Sequence, residues 1–313
     1  MTKTAFLFPG QGSQFVGMGK DLYDSHPEAR AVFDAADEAL GRPLSRLCFE
    51  GPEDELRLTV NTQPALFTTS VAVLKCLQAK GFQPDVVAGH SVGEYAALVA
   101  SGSLDFEDGI KLVNQRSLLM QAAAEAHPGS MAAVIGLDTD QVREACKRAE
   151  SDGVIDVANY NSPGQVVISG ESKAVEAASA YAKEAGARMV VALNVSGGFH
   201  SRLMASAAEG IGKFLSDVPF REASIPVIAN VTADYTRSPE MIRAALERQL
   251  VGSVRWEETL MLMSRDGVDC FVEVGPGKVL AGLVKRTVKG AEIHSVGDAE
   301  TLEAFAGGRK ETI

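Results

Sequence analysis

Gly89-His90-Ser91-Val92-Gly93 is the stretch that decides the fold of this 313-residue chain. An apolar run (85–88) precedes it, and a helix-like run (94–100) follows it. A serine between two glycines at a turn from strand to helix is typical of a nucleophile elbow. The glycines permit a turn tight enough to lift the hydroxyl above the sheet and to direct the next backbone N–H groups at the same point. An ordinary glycine-rich turn is the alternative interpretation.

Outside this turn, apolar strand candidates alternate with amphipathic helices, an order that predicts an α/β protein. Strands are expected at 4–8, 85–89, 226–231 and 269–274. A helix over about 105–124 would begin with an acidic turn, which suits the positive end of the helix dipole.

Residues 130–195 have a pattern of their own. It predicts, in order, a strand (131–137), a helix (141–149), two strands (154–159 and 166–169), a helix (173–185) and a strand (188–193). The order β-α-β-β-α-β is ferredoxin-like. We therefore expect an α/β-hydrolase-like catalytic subdomain with a mostly parallel sheet from 1–127 and 196–313, into which a ferredoxin-like small subdomain (128–195) is inserted.

The composition excludes several functional classes. A formal net charge of −11 argues against a nucleic-acid surface. No apolar stretch reaches the ~20 residues that cross a bilayer, so no membrane association is expected. The first strand candidate meets Pro9-Gly10 too early for a secretory signal, which favours the cytoplasm.

The four cysteines are far apart and none lies in a C-x-x-C pair. This spacing suits neither a zinc site nor a disulfide framework. We interpret Cys48, Cys76, Cys146 and Cys270 as buried thiols in a reducing compartment, and we expect no metal.

A serine hydroxyl needs a neighbouring base at neutral pH, and the residues leave two histidines open. His294 satisfies the rule that the base of an α/β-hydrolase comes late in the chain, but its apolar neighbours alternate as in a short terminal strand. His200 lies where a glycine pair gives way to a helix-like segment, a junction that can hold a side chain rigidly. We favour His200 and keep His294 as the alternative.

The run 8–14 follows the first strand directly, and its glycines suggest a dinucleotide site. Phe15 stands where G-x-G-x-x-G requires its third glycine, and Pro9 interrupts the turn. A loop that supplies a backbone N–H to an oxyanion hole fits the run better.

Arg116 lies on a helix face with Gly109, Val113 and Met120, and no acid stands three or four residues away. Arginine is rarely buried without a partner. A guanidinium that awaits a ligand carboxylate is one interpretation, because its planar fork binds a carboxylate with two hydrogen bonds. A solvated or structurally paired arginine is the other.

Together these features resemble the malonyl-CoA:acyl carrier protein transacylase family, which includes the malonyltransferases of type II fatty-acid synthesis. The resemblance extends over nearly the whole chain. It rests on Phe8-Pro9-Gly10-Gln11-Gly12-Ser13-Gln14, Gly89–Tyr95, Gln115-Arg116, Ala158–Gln165, Phe199-His200-Ser201 and Phe271–Gly277.

The resemblance implies a role for each matching residue. Ser91 would be the nucleophile and His200 its base, with the backbone carbonyl of Gln249 in place of an acidic partner. The backbone N–H groups of Gln11 and Val92 would form the oxyanion hole. The substrate residues would be Arg116, which would pair with the malonyl carboxylate, Asn161 in the cleft, and Phe199, which would exclude methylmalonyl.

The implied reaction is ping-pong transfer of malonyl from malonyl-CoA to the phosphopantetheine thiol of holo acyl carrier protein, which supplies fatty-acid biosynthesis. It requires no metal or organic cofactor, and a monomer is expected. Carrier proteins are acidic, so a basic docking patch is expected on a helix after Gly277, formed by Lys278, Lys285, Arg286 and Lys289. A solvated helix face is the alternative.

Other functions remain open. A discrete acyltransferase of a polyketide pathway would share the chemistry and differ only in its carrier. A serine thioesterase or esterase would share the elbow and would not need Arg116. A non-catalytic scaffold that binds carrier protein would keep the fold without the reacting groups.

Overall fold

Two β-sheets organise residues 2–310, the part of the chain that the computed structural model describes. The strands are β1 (Lys3–Phe8), β2 (Val86–Gly89), β3 (Ser130–Ile135), β4 (Ile155–Ser162), β5 (Gln165–Gly170), β6 (Met189–Ala192), β7 (Val227–Ala229), β8 (Asp234–Thr236), β9 (Val268–Val274) and β10 (Glu292–Val296).

The α-helices connect these strands and cover the sheets. They are α1 (Lys20–Ser25), α2 (Pro27–Leu40), α3 (Leu44–Glu50), α4 (Glu53–Arg57), α5 (Thr59–Ala79), α6 (Gly93–Ala100), α7 (Phe106–Ala126), α8 (Thr139–Ala149), α9 (Ser172–Glu184), α10 (Ala205–Asp217), α11 (Pro239–Gln249), α12 (Trp256–Arg265), α13 (Val279–Thr287) and α14 (Ala299–Lys310). Short 3₁₀ turns lie at Glu150–Asp152 and Arg202–Met204.

The larger sheet has the order β10-β9-β1-β2-β7-β8. Its pairs are parallel except β7 with β8. Phe6 and Phe8 of β1 face one hydrophobic core, whereas Ala5 and Leu7 face the other. The strand is apolar throughout because helices bury both faces of the sheet.

The smaller sheet has the order β4-β5-β3-β6, and all its pairs are antiparallel. Helices α8 and α9 pack on one face around Val134 and Ile168. The other face, which includes Met131 and Val167, joins the core of the larger sheet. The predicted fold class, a mostly parallel α/β sheet with a ferredoxin-like second sheet, is confirmed; the exact boundaries at 127/128 and 195/196 stay a prediction.

Several predicted elements differ from the structure in their ends. The strand expected at 226–231 is shorter in the structure, where β7 ends at Ala229. The next residue, Asn230, is hydrogen-bonded to the Ser91 turn. β4 continues to Ser162, so Pro163 and Gly164 alone make its turn into β5. The three-residue strand β8 was missed because it is too short for a periodic signal.

The four cysteines are buried thiols, as predicted. Burial raises the pKa of Cys48, Cys76 and Cys146 to about 12, which keeps them protonated. Within residues 2–310, no helix combines the length and the apolar character needed to cross a membrane.

Candidate active site

The turn between β2 and α6 places Ser91 in a strained backbone conformation. Its φ is 53°, in the left-handed region that residues other than glycine rarely adopt. A Cβ at Gly89 would lie 1.9 Å from the carbonyl group of Gly93, and a Cβ at Gly93 would lie 2.1 Å from the carbonyl oxygen of Phe8. Gly89 is therefore sterically required for the turn to close, and Gly93 for the turn to pack against β1.

Asn230, which directly follows β7, ties this turn together. Its Oδ1 accepts a hydrogen bond from the Ser91 backbone N–H at 2.7 Å, and its Nδ2 donates to the Gly89 carbonyl oxygen at 2.6 Å. These bonds hold both sides of the strained serine. Sequence reasoning missed Asn230 because its partners are about 140 positions away in the chain.

His200 faces the serine hydroxyl. Its Nε2 lies 2.8 Å from Ser91 Oγ, and its Nδ1 lies 2.9 Å from the Gln249 carbonyl oxygen. A carbonyl oxygen can only accept, so Nδ1 carries the proton and Nε2 presents its lone pair to the hydroxyl. The backbone of His200 is also left-handed, with φ 55°.

The environment of His200 keeps the imidazole neutral. Burial and the positive charge of Arg116 lower its pKa to about 3, against the opposing effect of the Gln249 carbonyl. A neutral imidazole can take the hydroxyl proton. The alternative histidine, His294, lies on edge strand β10, where it is hydrogen-bonded to Glu292, and it does not line the cavity around Ser91.

Arg116 is fully buried on α7 and reaches the same hydroxyl. One terminal nitrogen, Nη2, lies 3.1 Å from Ser91 Oγ and 2.9 Å from Gln249 Oε1. The other, Nη1, donates to Gln63 Oε1 at 2.5 Å. No carboxylate of the described residues forms a salt bridge with this guanidinium. A buried cation with only neutral partners can accept an anionic ligand.

A cavity of about 400 Å³ opens over these groups. Six of the predicted site residues line it: Gln11, Ser91, Val92, Arg116, Phe199 and His200. The smaller sheet and the segment after it supply the facing wall, which includes Met131, Asn159 and Leu193. The reacting groups therefore lie at the base of a cleft between the two sheets.

Two backbone N–H groups at the cavity wall are available to a ligand. Those of Gln11 and Val92 form no hydrogen bond with protein atoms in the described part of the chain. Donors of this kind next to a nucleophile can stabilise an oxyanion.

Asn161 is placed differently from the prediction that it lines the cleft. Its Oδ1 is 2.9 Å from His90 Nε2, and it is His90 and Asn159 that line the cavity. Bulges in β4 on both sides of this stretch break the strict alternation of side chains, so the face of each residue could not be read from the sequence. Asn161 is therefore hydrogen-bonded to a residue that lines the cavity, His90.

Gln249 holds the site with its side chain as well as its carbonyl. Its Nε2 donates to the Ser91 carbonyl oxygen at 3.1 Å and to Glu94 Oε2 at 2.6 Å. Glu94 is 2% exposed, and burial raises its pKa to about 7. It was overlooked, although a single charged residue in an apolar helix is a signal that could have singled it out.

The four residues of the predicted basic patch are all exposed, but not all lie on one helix. Helix α13 ends at Thr287, so Lys289 lies beyond it. Lys278 follows Gly277, which packs against Ser13 in the loop that carries Gln11. Arg286 is hydrogen-bonded to Gln165 at the β4–β5 turn.

The sequence matches the signature of the acyl transferase domain family over residues 5–305, nearly the whole chain. The chain belongs to the acyl transferase domain family. It is 48% identical over 304 residues to the malonyl CoA-acyl carrier protein transacylase of Bacillus subtilis (strain 168), which covers 97% of this chain and 96% of that protein. The Haemophilus influenzae protein of the same name is 47% identical over 306 residues, with 97% and 98% covered.

Solved structures of family members have the same fold. An acyl carrier protein S-malonyltransferase from Vibrio cholerae superposes with a TM-score of 0.94 at 46% identity, over 97% of this chain and 100% of that one. A malonyl-transacylase in complex with its type II PKS acyl-carrier protein gives a TM-score of 0.95 at 42% identity, over 98% and 100%.

Proposed function

We propose that this acyl transferase moves the malonyl group from malonyl-CoA to the phosphopantetheine thiol of holo acyl carrier protein, through a malonyl-Ser91 intermediate, for fatty-acid biosynthesis. One observation carries the proposal: the hydroxyl of Ser91 lies between a neutral histidine and a buried arginine that has no carboxylate partner. The names of the relatives support this reaction.

In the first half-reaction, His200 Nε2 takes the proton of Ser91 while Oγ attacks the thioester carbonyl. A C–O bond forms, and the carbonyl π electrons move to the oxygen. The N–H groups of Gln11 and Val92 stabilise that oxyanion. When the C–S bond breaks, the imidazolium returns its proton to the sulfur, and CoA leaves as a thiol.

The second half-reaction reverses these steps. His200 takes the proton of the phosphopantetheine thiol, whose sulfur attacks the malonyl-serine ester, and the proton then returns to Ser91 Oγ. Every proton and electron pair is balanced by the serine, the histidine and the two thiols. We therefore propose that no metal or organic cofactor takes part; CoA is the carrier of the substrate.

Arg116 selects the acyl group. The malonyl carboxylate lies one methylene from the reacting carbonyl, and the guanidinium lies beside the hydroxyl that attacks it. A charge-assisted bidentate pair fits this short spacing. We expect Phe199, which lines the cavity, to exclude the extra methyl group of methylmalonyl. We expect Asn161 to support the lining residue His90, to which it is hydrogen-bonded.

We propose that the chain acts as a monomer made of a catalytic subdomain (1–127 and 196–313) and an inserted small subdomain (128–195). All proposed reacting groups lie in the first. The second covers the cleft.

We propose that the carrier protein docks on Lys278, Lys285, Arg286 and Lys289. The position of Lys278 beside the cavity loop supports this surface, because a carrier bound there would have a short path to Ser91. Reversing the charges of Lys285 and Arg286 should raise the KM for carrier protein and leave malonyl loading from CoA unchanged. The matched control reverses Lys111 and Lys213, which lie on helices across the larger sheet; an equal rise in KM there would refute the patch.

Intact-protein mass spectrometry after brief incubation with malonyl-CoA tests the reaction. We expect a single malonyl adduct on the wild type and none on Ser91→Ala, with discharge by holo acyl carrier protein. An adduct lost to water at the same rate without carrier would indicate a thioesterase. No adduct would refute the proposed transfer.

A polyketide carrier is the second candidate acceptor, because one solved relative is in complex with a type II PKS acyl-carrier protein. Discharge rates measured with both kinds of carrier would separate the two pathways. The preferred carrier is expected to give the higher kcat/KM.

A further inference from the structure

Glu94 is a buried acid at the site that touches none of the reacting atoms. It lies in the first turn of α6, three residues after the nucleophile. Its Oε2 accepts hydrogen bonds from Gln249 Nε2 at 2.6 Å and from the Asn230 backbone N–H at 3.3 Å. Burial of a carboxylate is costly, so its partners indicate what it does there.

We propose that Glu94 is a positioning residue: by accepting from Gln249 Nε2, it fixes the side-chain amide of Gln249 so that Oε1 holds Arg116 in the cavity for the malonyl carboxylate. The inference rests on the proposed function and adds the origin of its acyl selectivity. Neither Glu94 nor the side chain of Gln249 was assigned a role by the sequence.

The donors and acceptors around Gln249 allow one orientation of its amide. Nε2 faces two acceptors, the Ser91 carbonyl oxygen and Glu94 Oε2, while Oε1 faces the Arg116 donor. A flipped amide would place a donor against the guanidinium and an acceptor against two oxygens. The bond to Glu94, at 2.6 Å, is the shortest of the three, and Glu94 is therefore the strongest constraint on the amide.

The side-chain amide of Gln249, which lies between Glu94 and Arg116, also keeps Arg116 available to bind a carboxylate. A direct Glu94–Arg116 ion pair would give the guanidinium a permanent carboxylate partner, with which a malonyl carboxylate would have to compete. Instead, Gln249 separates the two charges and bonds to both. The buried cation thus has a nearby counter-charge and keeps its carboxylate-binding capacity.

Gln249 serves the base and the arginine through different atoms. Its main-chain carbonyl accepts from His200, and its side chain bonds to Arg116. A change at Glu94 releases the side chain and leaves the carbonyl in α11. The loss should therefore be selective for malonyl over an acyl group without a carboxylate.

The test compares the initial rates of Ser91 acylation by malonyl-CoA and acetyl-CoA, measured by intact-protein mass spectrometry. For Glu94→Ala we expect malonyl loading to fall about 10²-fold, the cost of a misplaced substrate-binding group. Acetyl loading should stay within about threefold of the wild-type rate, because the expected loss of free energy is smaller than that of one hydrogen bond. Glu94→Gln keeps an acceptor oxygen and should recover malonyl loading to within about fivefold of wild type, the value of one neutral hydrogen bond.

Two further variants separate positioning from folding. Glu273→Gln changes another buried acid, which accepts from the backbone of α13, and should lower the Tm without changing the malonyl-to-acetyl ratio. Gln249→Leu keeps the main-chain carbonyl and removes the amide, so Glu94→Gln should have no added effect on selectivity in that background. This second comparison decides the question even if Glu94→Ala does not fold.

Equal losses for both acyl groups in Glu94→Ala would overturn the inference, as would additive effects of Glu94→Gln and Gln249→Leu on selectivity. A wild type that takes no malonyl adduct would refute the proposed function instead. The two failures are therefore distinguishable.

Discussion

The two sheets form opposite walls of one cavity, and they differ in what they contribute. At the carboxyl ends of the parallel strands, buried polar groups are joined in one hydrogen-bonded set through Ser91, Arg116, Asn230 and Gln249. The smaller sheet and the segment after it bring Met131, Leu193 and Val195 to the cavity beside two asparagines, and the edge strand β6 is largely exposed.

The difference shows where precision is required. Groups that transfer a proton or hold a charge must be placed to within a fraction of an ångström, so their side chains are buried beside the rigid parallel sheet. The facing wall formed by the smaller sheet needs only a shape that fits the substrate. Variants on the two sides of the cavity should therefore differ in kind: changes to rate and charge selectivity on one side, and smaller changes to fit and stability on the other.

The largest effect is expected from loss of the base. His200→Ala should slow Ser91 acylation by malonyl-CoA about 10³- to 10⁴-fold, the upper part of the range for a general base. Rapid-quench mass spectrometry would measure the rate. His294→Ala, on the edge strand, serves as the control and should load at the wild-type rate. A smaller loss for His200→Ala than for His294→Ala would restore His294 as the base.

Arg116→Ala should separate the acyl groups. Malonyl loading is expected to fall about 10- to 100-fold, because a buried hydrogen bond to a charged group is lost. Acetyl loading should be unchanged or faster, since the cavity no longer holds an unpaired cation. Competition between the two thioesters in one reaction would measure the ratio directly. Equal loss of both would reduce Arg116 to a structural role.

The buried acid should make the catalytic wall sensitive to pH. The pKa of Glu94 is raised to about 7 from 4.5, so the folded state binds more protons than the unfolded state between these values. Its contribution to stability is present below pH 4.5 and is lost as the pH rises to 7.

Relative to Glu94→Gln, the wild type should therefore lose about 2–3 kcal/mol of unfolding free energy between pH 5 and 8. Urea denaturation of both proteins at each pH would measure the difference. A difference that does not change with pH, or that grows in favour of the wild type, would contradict the prediction.

Phe199→Ala should widen the cavity without changing the charge at its base. The ratio of methylmalonyl to malonyl loading is expected to rise about tenfold, which is the usual value of one methyl group in a tight pocket. Competition between the two CoA esters, followed by mass spectrometry of the adducts, would give the ratio. An unchanged ratio would mean that another residue excludes the methyl group.

The smallest effect is expected between the two walls. Asp156 on β4 accepts from the backbone N–H and Nε of Arg202, two residues after His200. Because Arg202 is mostly exposed, Asp156→Asn should cost less than about 1 kcal/mol of unfolding free energy. Thermal denaturation would check this. The control is Glu184→Gln, which breaks the exposed ion pair between Arg148 and Glu184 on the small-sheet side. A fall in acylation rate comparable to that of His200→Ala would show that the covering wall also positions the base.

Much of this site could be predicted because its motifs are local. Ser91 was identified from four neighbours, since a strained turn imposes its glycines at fixed spacing. Asn230 and Gln63 could not be identified in the same way, because the residues that they contact are distant in sequence. Glu94 was missed because it lies within an apolar helix and its partner Gln249 is distant in sequence. The side of the sheet on which Asn161 lies could not be predicted, because bulges in β4 break the alternation of side chains.

The sequence by itself determined the α/β alternation, the turn at Ser91 and the ferredoxin-like order of residues 130–195, because these depend on backbone conformation and on short-range periodicity. The residues left open which histidine is the base and whether Arg116 is paired. Only the tertiary structure decided where those side chains lie. Parallel strands end at one edge of the sheet, and this packing brings Ser91 within hydrogen-bond distance of Arg116 and His200, each of which is also hydrogen-bonded to Gln249.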